Sequence, residues 1–275
     1  MDASVMAESP FSQGGTEGFA SRAVVAHRGA SAVEAENTLR AFEVAVEAGA
    51  DAVEFDVRMT ADDVAVVVHD ADVTRTTDGR GPVSSMRLAE VRRLRIAARD
   101  GSLTGIPTLE ETLAFLSGKA AIDIELKNIP GEPDYEPERQ RAAEATLEAL
   151  HRTAFVGPVM VSSFNPLAIA AVRGSAPGVA TGLLTSFGVD ANAALEFARA
   201  EGHGWVLPYV ERVRAAGDGF AMSVHDAGLR LGTWLTDDPA EAVELFREGI
   251  DAVATNDPAA VVAARREAFS DERGG

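Results

Sequence analysis

Two histidines and two acids within residues 24–79 have the types and spacing to move protons and hold a hard cation. His27 ends the apolar run VVA, and His69 ends the run VAVVV. Imidazole is the side chain that exchanges a proton near neutral pH. Between them Glu54 and Asp56 stand at i and i+2 in AVEFDV, so on a strand both carboxylates share one face while Val53, Phe55 and Val57 share the other. Adjacent buried carboxylates repel unless something cationic sits between them. The pair therefore reads either as the partner of two arginines or as half of an oxygen-ligand site for a divalent cation.

The same alternation recurs in IDIELK. Asp123, Glu125 and Lys127 lie on one face and Ile122, Ile124 and Leu126 on the other. Glu125 would complete a three-carboxylate site and Lys127 would reach a phosphate; the competing reading is an internal Glu125–Lys127 salt bridge. Lysine is rare here, with Lys119 and Lys127 set against 23 arginines, which favours a compact ammonium at 127. Arg28, beside His27, can clamp an oxyanion with two hydrogen bonds. Gly29 lets backbone approach a ligand, although HRG alone also fits a plain turn. Trp234, near the end of a late apolar run, reads equally as a pocket wall or a core residue.

The elements that would position these groups are repeated βα units. Nine strand-like runs (23–27, 52–57, 64–69, 121–126, 159–164, 179–184, 205–208, 231–235 and 252–255) alternate with stretches of helical period. Capping signals support the helices, with Thr108 before LEETLAF and Asn165-Pro166 and Asp238-Pro239 opening two others. Such alternation means a parallel sheet, open or closed. The segment 57–64 is too short for a crossover helix, so either the Glu54/Asp56 and His69 runs are joined irregularly or one late run lies outside the sheet. Residues 75–106 read as a small insertion over one end of the sheet. The stretch 128–137 reads as a long loop of the kind that serves as a lid or binding loop.

Composition excludes several classes. Cysteine is absent, so there is no disulfide framework, thiolate nucleophile or zinc-thiolate site. The net charge of −18 and the lack of a basic block argue against nucleic acid; the arginines at 92, 93, 95 and 99 read as a solvated helix face. Residues 1–20 read as a disordered leader with neither a basic nor an apolar signal region, residues 21–266 as the folded body, and 267–275 as a flexible tail. No apolar stretch is long enough to span a bilayer, and the expected location is the cytoplasm. Oligomeric state is not legible.

Taken in order, HRG, ENT, EFD, HD, TTDG, IPTLEE, IELK, SSF, TWLTDD and GIDAVATNDP resemble the glycerophosphodiester phosphodiesterase family, from about residue 24 to residue 258. The resemblance implies a (β/α)8 TIM barrel of the phospholipase-C-like phosphodiesterase type with a small insertion. It implies one divalent cation, Mg²⁺ or Ca²⁺, held by Glu54, Asp56 and Glu125. His27 and His69 would be the general acid and base, Arg28 and Lys127 would hold the phosphate, Glu36 and Asn37 would support them, and Phe164 and Trp234 would wall the pocket. The implied activity is hydrolysis of a small-molecule glycerophosphodiester to glycerol 3-phosphate and an alcohol, with a lysophospholipase D-like lipid substrate or a non-catalytic phosphate-ester-binding barrel as alternatives. Two positions depart from the family pattern: Asp237 stands where Asn is frequent, and Asn256 where Asp is frequent.

Overall fold

The computed structural model describes residues 18–270. Eight parallel strands close into a barrel: β1 (Ala23–Ala26), β2 (Ala52–Met59), β6 (Ala121–Leu126), β7 (Val159–Ser163), β8 (Ala180–Thr185), β9 (Trp205–Pro208), β10 (Arg230–Thr233) and β11 (Ala252–Thr255), with β11 pairing back onto β1. The ninth strand-like run is β3 (Ala65–Val67), which pairs antiparallel with the top of β2, Val57 opposite Val67. β1 ends at Ala26, level with Val53, so the upper half of β2 has an edge without a barrel neighbour. β3 folds back onto it through a turn closed by Thr60 N–H to the Val64 carbonyl at 2.9 Å. This irregular joint answers the short 57–64 segment. β2 overshoots the barrel rim, β3 returns, and His69 is delivered beside the acids.

Helices α1 (Leu39–Ala48), α3 (Leu109–Leu116), α4 (Arg141–Thr153), α5 (Pro166–Ser175), α6 (Ala191–Glu201), α9 (Pro239–Arg247) and α10 (Pro258–Ala268) form the outer layer. Side-chain caps start most of them: Thr38, Thr108, Asn165, Asp190, Asp238 and Asp257 each accept a first-turn N–H, and proline follows the cap in α5, α9 and α10. The loop between β9 and β10 carries two short helices, α7 (Val210–Ala216) and α8 (Phe220–Asp226).

Outward residues of the strands, such as Val53, Phe55, Val57, Ile122, Ile124 and Leu126, pack on Phe42, Leu109, Leu113, Leu116 and Leu150 of the helices. Inward residues divide along the barrel axis. The floor is small and apolar, with Ala23, Ala52, Ala121, Ala180 and Ala252 around Trp205. Phe19 closes that end, edge-on to Trp205 at 5.6 Å. The fixed part of the chain thus begins before residue 21, since Phe19 is buried within the stretch expected to be leader; most of that stretch, 1–17, lies outside the described residues, as do 271–275 of the expected tail. α10 also continues through Ala268, two residues past the expected end of the body.

The insertion after β3 holds α2 (Leu88–Val91) and a two-stranded hairpin of β4 (Ile96–Ala97) and β5 (Leu103–Thr104), and it has its own core of Val66, Val68, Val73, Val83, Val91, Leu94, Ile96 and Ile106. Among the described residues no helix is long and apolar enough to cross a membrane.

Candidate active site

The polar interior is built where three neighbouring strands end. Parallel register sets Glu54 of β2 beside Asp123 of β6, and Asp56 beside Glu125, so the two alternating runs found in the sequence lie next to each other. All four carboxylates are at most 6% exposed. One oxygen from each of Glu54, Asp56 and Glu125 falls within a 4.8 Å cluster. Two cations serve this cluster. Lys127 Nζ lies 2.5 Å from Glu125 Oε1 and 3.1 Å from Asp56 Oδ1, and Arg28 Nε lies 3.3 Å from Asp56 Oδ2. The Glu125–Lys127 salt bridge exists, and the carboxylates of the cluster still outnumber its cations.

The imbalance shows in the acids themselves. Burial and then the charges of Asp56 and Glu125 push Glu54 well above the carboxylate range, and burial also raises Glu125. Burial, with Glu125 and Asp56 adding to it, pushes Asp123 up to about 7. Asp56 alone is held low: against its own burial, Lys127 and Arg28 stabilise the anion. Glu54 Oε1 is buried and has no hydrogen-bond partner. A site with excess buried oxygen charge and an unpaired oxygen fits a hard divalent cation, and the all-carboxylate donor set suits Mg²⁺ or Ca²⁺ better than zinc.

The HRG turn is fastened to this cluster. Arg28 is left-handed at φ 56°, and its N–H donates to Glu54 Oε2 at 2.8 Å. Gly29 follows at φ 80°, where a Cβ would meet Ala41 backbone at 2.7 Å. Asn37, also left-handed and buried, donates its side-chain amide to Asp56 Oδ2 at 2.7 Å. Strained conformations of this kind collect where surrounding structure over-determines them.

Each histidine presents one ring nitrogen to a partner. His27 Nδ1 lies 2.8 Å from Asn256 Oδ1, and His69 Nδ1 lies 2.6 Å from Asp70 Oδ1. Asp70 accepts from Arg75, whose guanidinium also forks onto Glu36 at 2.7 and 2.8 Å. Glu36 in turn holds Arg28 at 3.1 Å. A continuous ionic belt thus runs from His69 through Asp70, Arg75 and Glu36 to Arg28. Burial, then the Arg28 charge, lowers His27 to about 4; burial also lowers His69. Against burial, the hydrogen bonds of Arg75 and His69 hold Asp70 at about 2.

His27, Arg28, Glu54, Glu125, Lys127, His69, Phe164 and Trp234 line one cavity of about 240 Å³. Asp56, Asn37 and Glu36 stand behind that lining. The far wall is apolar: Met160, Leu184, Leu207 and Trp234 face the ionic groups across the barrel. Trp234 is fixed by Nε1–H to the Leu207 carbonyl at 3.1 Å and by edge contacts with Phe164 and Tyr209.

Sequence reading missed five residues here. Asp70 and Arg75 build the belt. Arg58, the next inward position after Asp56, donates Nε to the His69 carbonyl at 2.6 Å and pairs with Glu132 and Asp134, which ties down the 128–137 loop. Extending the Glu54, Asp56 alternation by one step points to it. Asp237 and Asn256, noted only as departures from a family pattern, touch each other, Asn256 N and Nδ2 donating to Asp237 at 2.7 and 2.8 Å.

A closed (β/α)8 barrel with a buried acidic triad, two cations and two imidazoles at the strand C-terminal ends has the layout of a barrel enzyme's active site. Residues 27–260 match the model of the glycerophosphoryl diester phosphodiesterase family. A glycerophosphodiester phosphodiesterase of Caldanaerobacter subterraneus subsp. tengcongensis is 31% identical over 244 residues, covering 87% of this chain and 96% of the relative. A phosphodiesterase of Oleispira antarctica, solved in complex with the product sn-glycerol-3-phosphate, superposes with a TM-score of 0.77 at 26% identity, covering 88% of this chain and 96% of the other. The glycerophosphodiester phosphodiesterase of Thermotoga maritima gives a TM-score of 0.71 at 28% identity, over 88% and 97%. The chain belongs to the glycerophosphoryl diester phosphodiesterase family and is a phosphoric diester hydrolase.

Proposed function

We propose that this enzyme hydrolyses glycerophosphodiesters to glycerol 3-phosphate and an alcohol, with a divalent cation and two histidines in distinct roles. The observation that carries the reading is the unlike partners of the two rings. His27 has a neutral amide at Nδ1 and His69 a carboxylate. The carboxylate draws His69 toward the imidazolium form against the burial that lowers it, whereas the amide brings no charge to His27. His27 Nε2 takes the proton from the attacking hydroxyl, which belongs either to the substrate's own glycerol or to water. The hydroxyl oxygen bonds to phosphorus, the phosphorus–oxygen bond to the alcohol breaks, and His69 Nε2–H protonates the departing oxygen; by the glycerol route the cyclic phosphate so formed is then opened by water to glycerol 3-phosphate.

Arg28 and Lys127 line the cavity and neutralise the phosphoryl oxygens, and the Glu36 and Asp56 contacts of Arg28 hold its guanidinium in place. Glu54, Asp56 and Glu125 would hold Mg²⁺ or Ca²⁺, which when bound supplies further neutralisation of phosphoryl charge. The product in the Oleispira relative supports glycerol 3-phosphate as the product here. The site of action we expect is the cytoplasm.

The test is glycerol 3-phosphate release from a panel of glycerophosphodiesters, with and without chelator. Release that is blocked by chelator and restored by Mg²⁺ or Ca²⁺ supports the reading; unchanged rates in chelator overturn the metal assignment.

A second substrate class, lysophospholipids, is favoured by one observation. Leu167, Phe187 and Val189 lie just after β7 and β8, at the C-terminal end of the barrel strands, and are 52%, 69% and 37% exposed. Comparing turnover of glycerophosphocholine and lysophosphatidylcholine separates the two classes.

A further inference from the structure

Three loops that follow neighbouring strands meet behind His27. Asp237 comes after β10, Asn256 after β11 and His27 after β1. The contacts between them have a direction. Asp237 carries only acceptors, and it takes both the backbone N–H of Asn256 at 2.7 Å and its Nδ2–H at 2.8 Å, together with the Thr255 hydroxyl at 3.1 Å. An amide held by its nitrogen on one side must present its oxygen on the other. That oxygen faces His27 Nδ1 at 2.8 Å, and the Ser31 hydroxyl lies 2.8 Å from it as well. An acceptor opposite Nδ1 requires the proton there, which leaves Nε2 as the ring's lone-pair nitrogen.

We infer that Asp237 and Asn256 are positioning residues that fix the tautomer of His27 by orienting the Asn256 amide. This rests on the proposal that His27 is the base. Neither residue touches the reacting atoms. Asp237 acts through Asn256, and Asn256 through the ring. The relay also keeps the negative charge one residue away from the imidazole, unlike the Asp70 contact at His69.

The order of the two residues matters because it sets hydrogen-bond polarity. In Asp237→Asn the new side chain still accepts from the Asn256 backbone. Its amide nitrogen then faces that of Asn256, and relief comes from turning the Asn256 amide over. Its NH₂ would now face Nδ1, and the His27 proton moves to Nε2. In the exchanged pair, Asp237→Asn with Asn256→Asp, the carboxylate at position 256 accepts from both the ring and the new amide at position 237, so the original tautomer returns. Asp237 is exposed, so both variants are expected to fold.

The experiment records two-bond ¹H–¹⁵N spectra of the ¹⁵N-labelled protein at neutral pH, with the His27 ring identified by its loss in His27→Gln. It is paired with kcat and KM for glycerophosphocholine. Wild type shows Nδ1–H. Asp237→Asn shows Nε2–H, with kcat lower by about a hundredfold and KM little changed. The exchanged pair regains Nδ1–H. Nδ1–H persisting in Asp237→Asn, or Nε2–H persisting in the exchanged pair, overturns the inference. The spectra report the tautomer even if this diester proves to be no substrate, so a failure of the relay is distinguishable from a failure of the functional reading.

Discussion

Arg58 Nη1 lies 3.0 and 2.8 Å from the two carboxylate oxygens of Asp134, 76 residues further along the chain, while its Nε holds the His69 carbonyl at 2.6 Å. One guanidinium, 1% exposed, thereby joins the strand of the buried acids to the loop over the cavity and to His69. Removing one partner of a buried ion pair costs about 3–5 kcal/mol, because the other charge is left stranded. Arg58→Met is expected to lose stability on that scale in urea unfolding and to lower kcat through His69. Asp134→Asn, which keeps one acceptor, should lose less of both.

On the proposed roles, replacing either histidine removes a proton-transfer group. His27→Ala and His69→Ala are each expected to lower turnover at least about a hundredfold, the low end for general acid/base catalysis. Substrates with an activated leaving group separate the two. A good leaving group needs no protonation, so it should rescue His69→Ala and leave His27→Ala impaired.

The acids oppose each other in the metal-free protein. Glu54 is pushed up by burial and by its carboxylate neighbours, so its charge disfavours the fold at neutral pH. Glu54→Gln is expected to raise the melting temperature of the chelated protein, by about 2–4 °C for each kcal/mol of repulsion relieved. It should also abolish the stabilisation that Mg²⁺ or Ca²⁺ gives wild type. Calorimetry with and without the ion reads both effects.

How far the site could be read in advance depended on how local its pattern was. Glu54 with Asp56, and Asp123 with Glu125 and Lys127, are period-two runs, and alternation alone puts them on one face. The caps Thr108, Asn165 and Asp238 were equally local. Arg58 was hidden because it continues the acidic run with opposite charge. Asn256 lies 229 residues from His27, and Asp237 is 19 residues from Asn256. No spacing rule connects them; only the closure of β11 onto β1 does. The β2–β3 hairpin stayed ambiguous because its apolar run looks like any buried strand, and its direction follows from the edge that β1 leaves behind.

His27 titrates far from its ordinary value of 6.5, at about 4, through burial and then the Arg28 charge. Between those two values the unfolded chain binds a proton that the folded ring refuses, so stability falls as pH drops through that window. Urea unfolding of the chelated protein from pH 7 to 4 is expected to show a slope shallower by up to one proton in His27→Gln. Equal slopes would mean that the ring is not held neutral.

Gly29 is a steric test of the HRG turn. Its positive φ and the 2.7 Å approach to Ala41 leave no room for a methyl group. Gly29→Ala is expected to cost more than about 1 kcal/mol and to shift the Arg28 N–H away from Glu54, weakening metal binding measured by calorimetry.

The seam between the first barrel strand and the last has a consequence for synthesis. Chains leave the ribosome N-terminus first, and His27 and Glu54 emerge early. The partner of His27 arrives only with residue 256, after every other barrel strand has been made. On the role proposed for His27, a nascent chain that already carries the acids and both imidazoles has no oriented base until residue 256 has emerged.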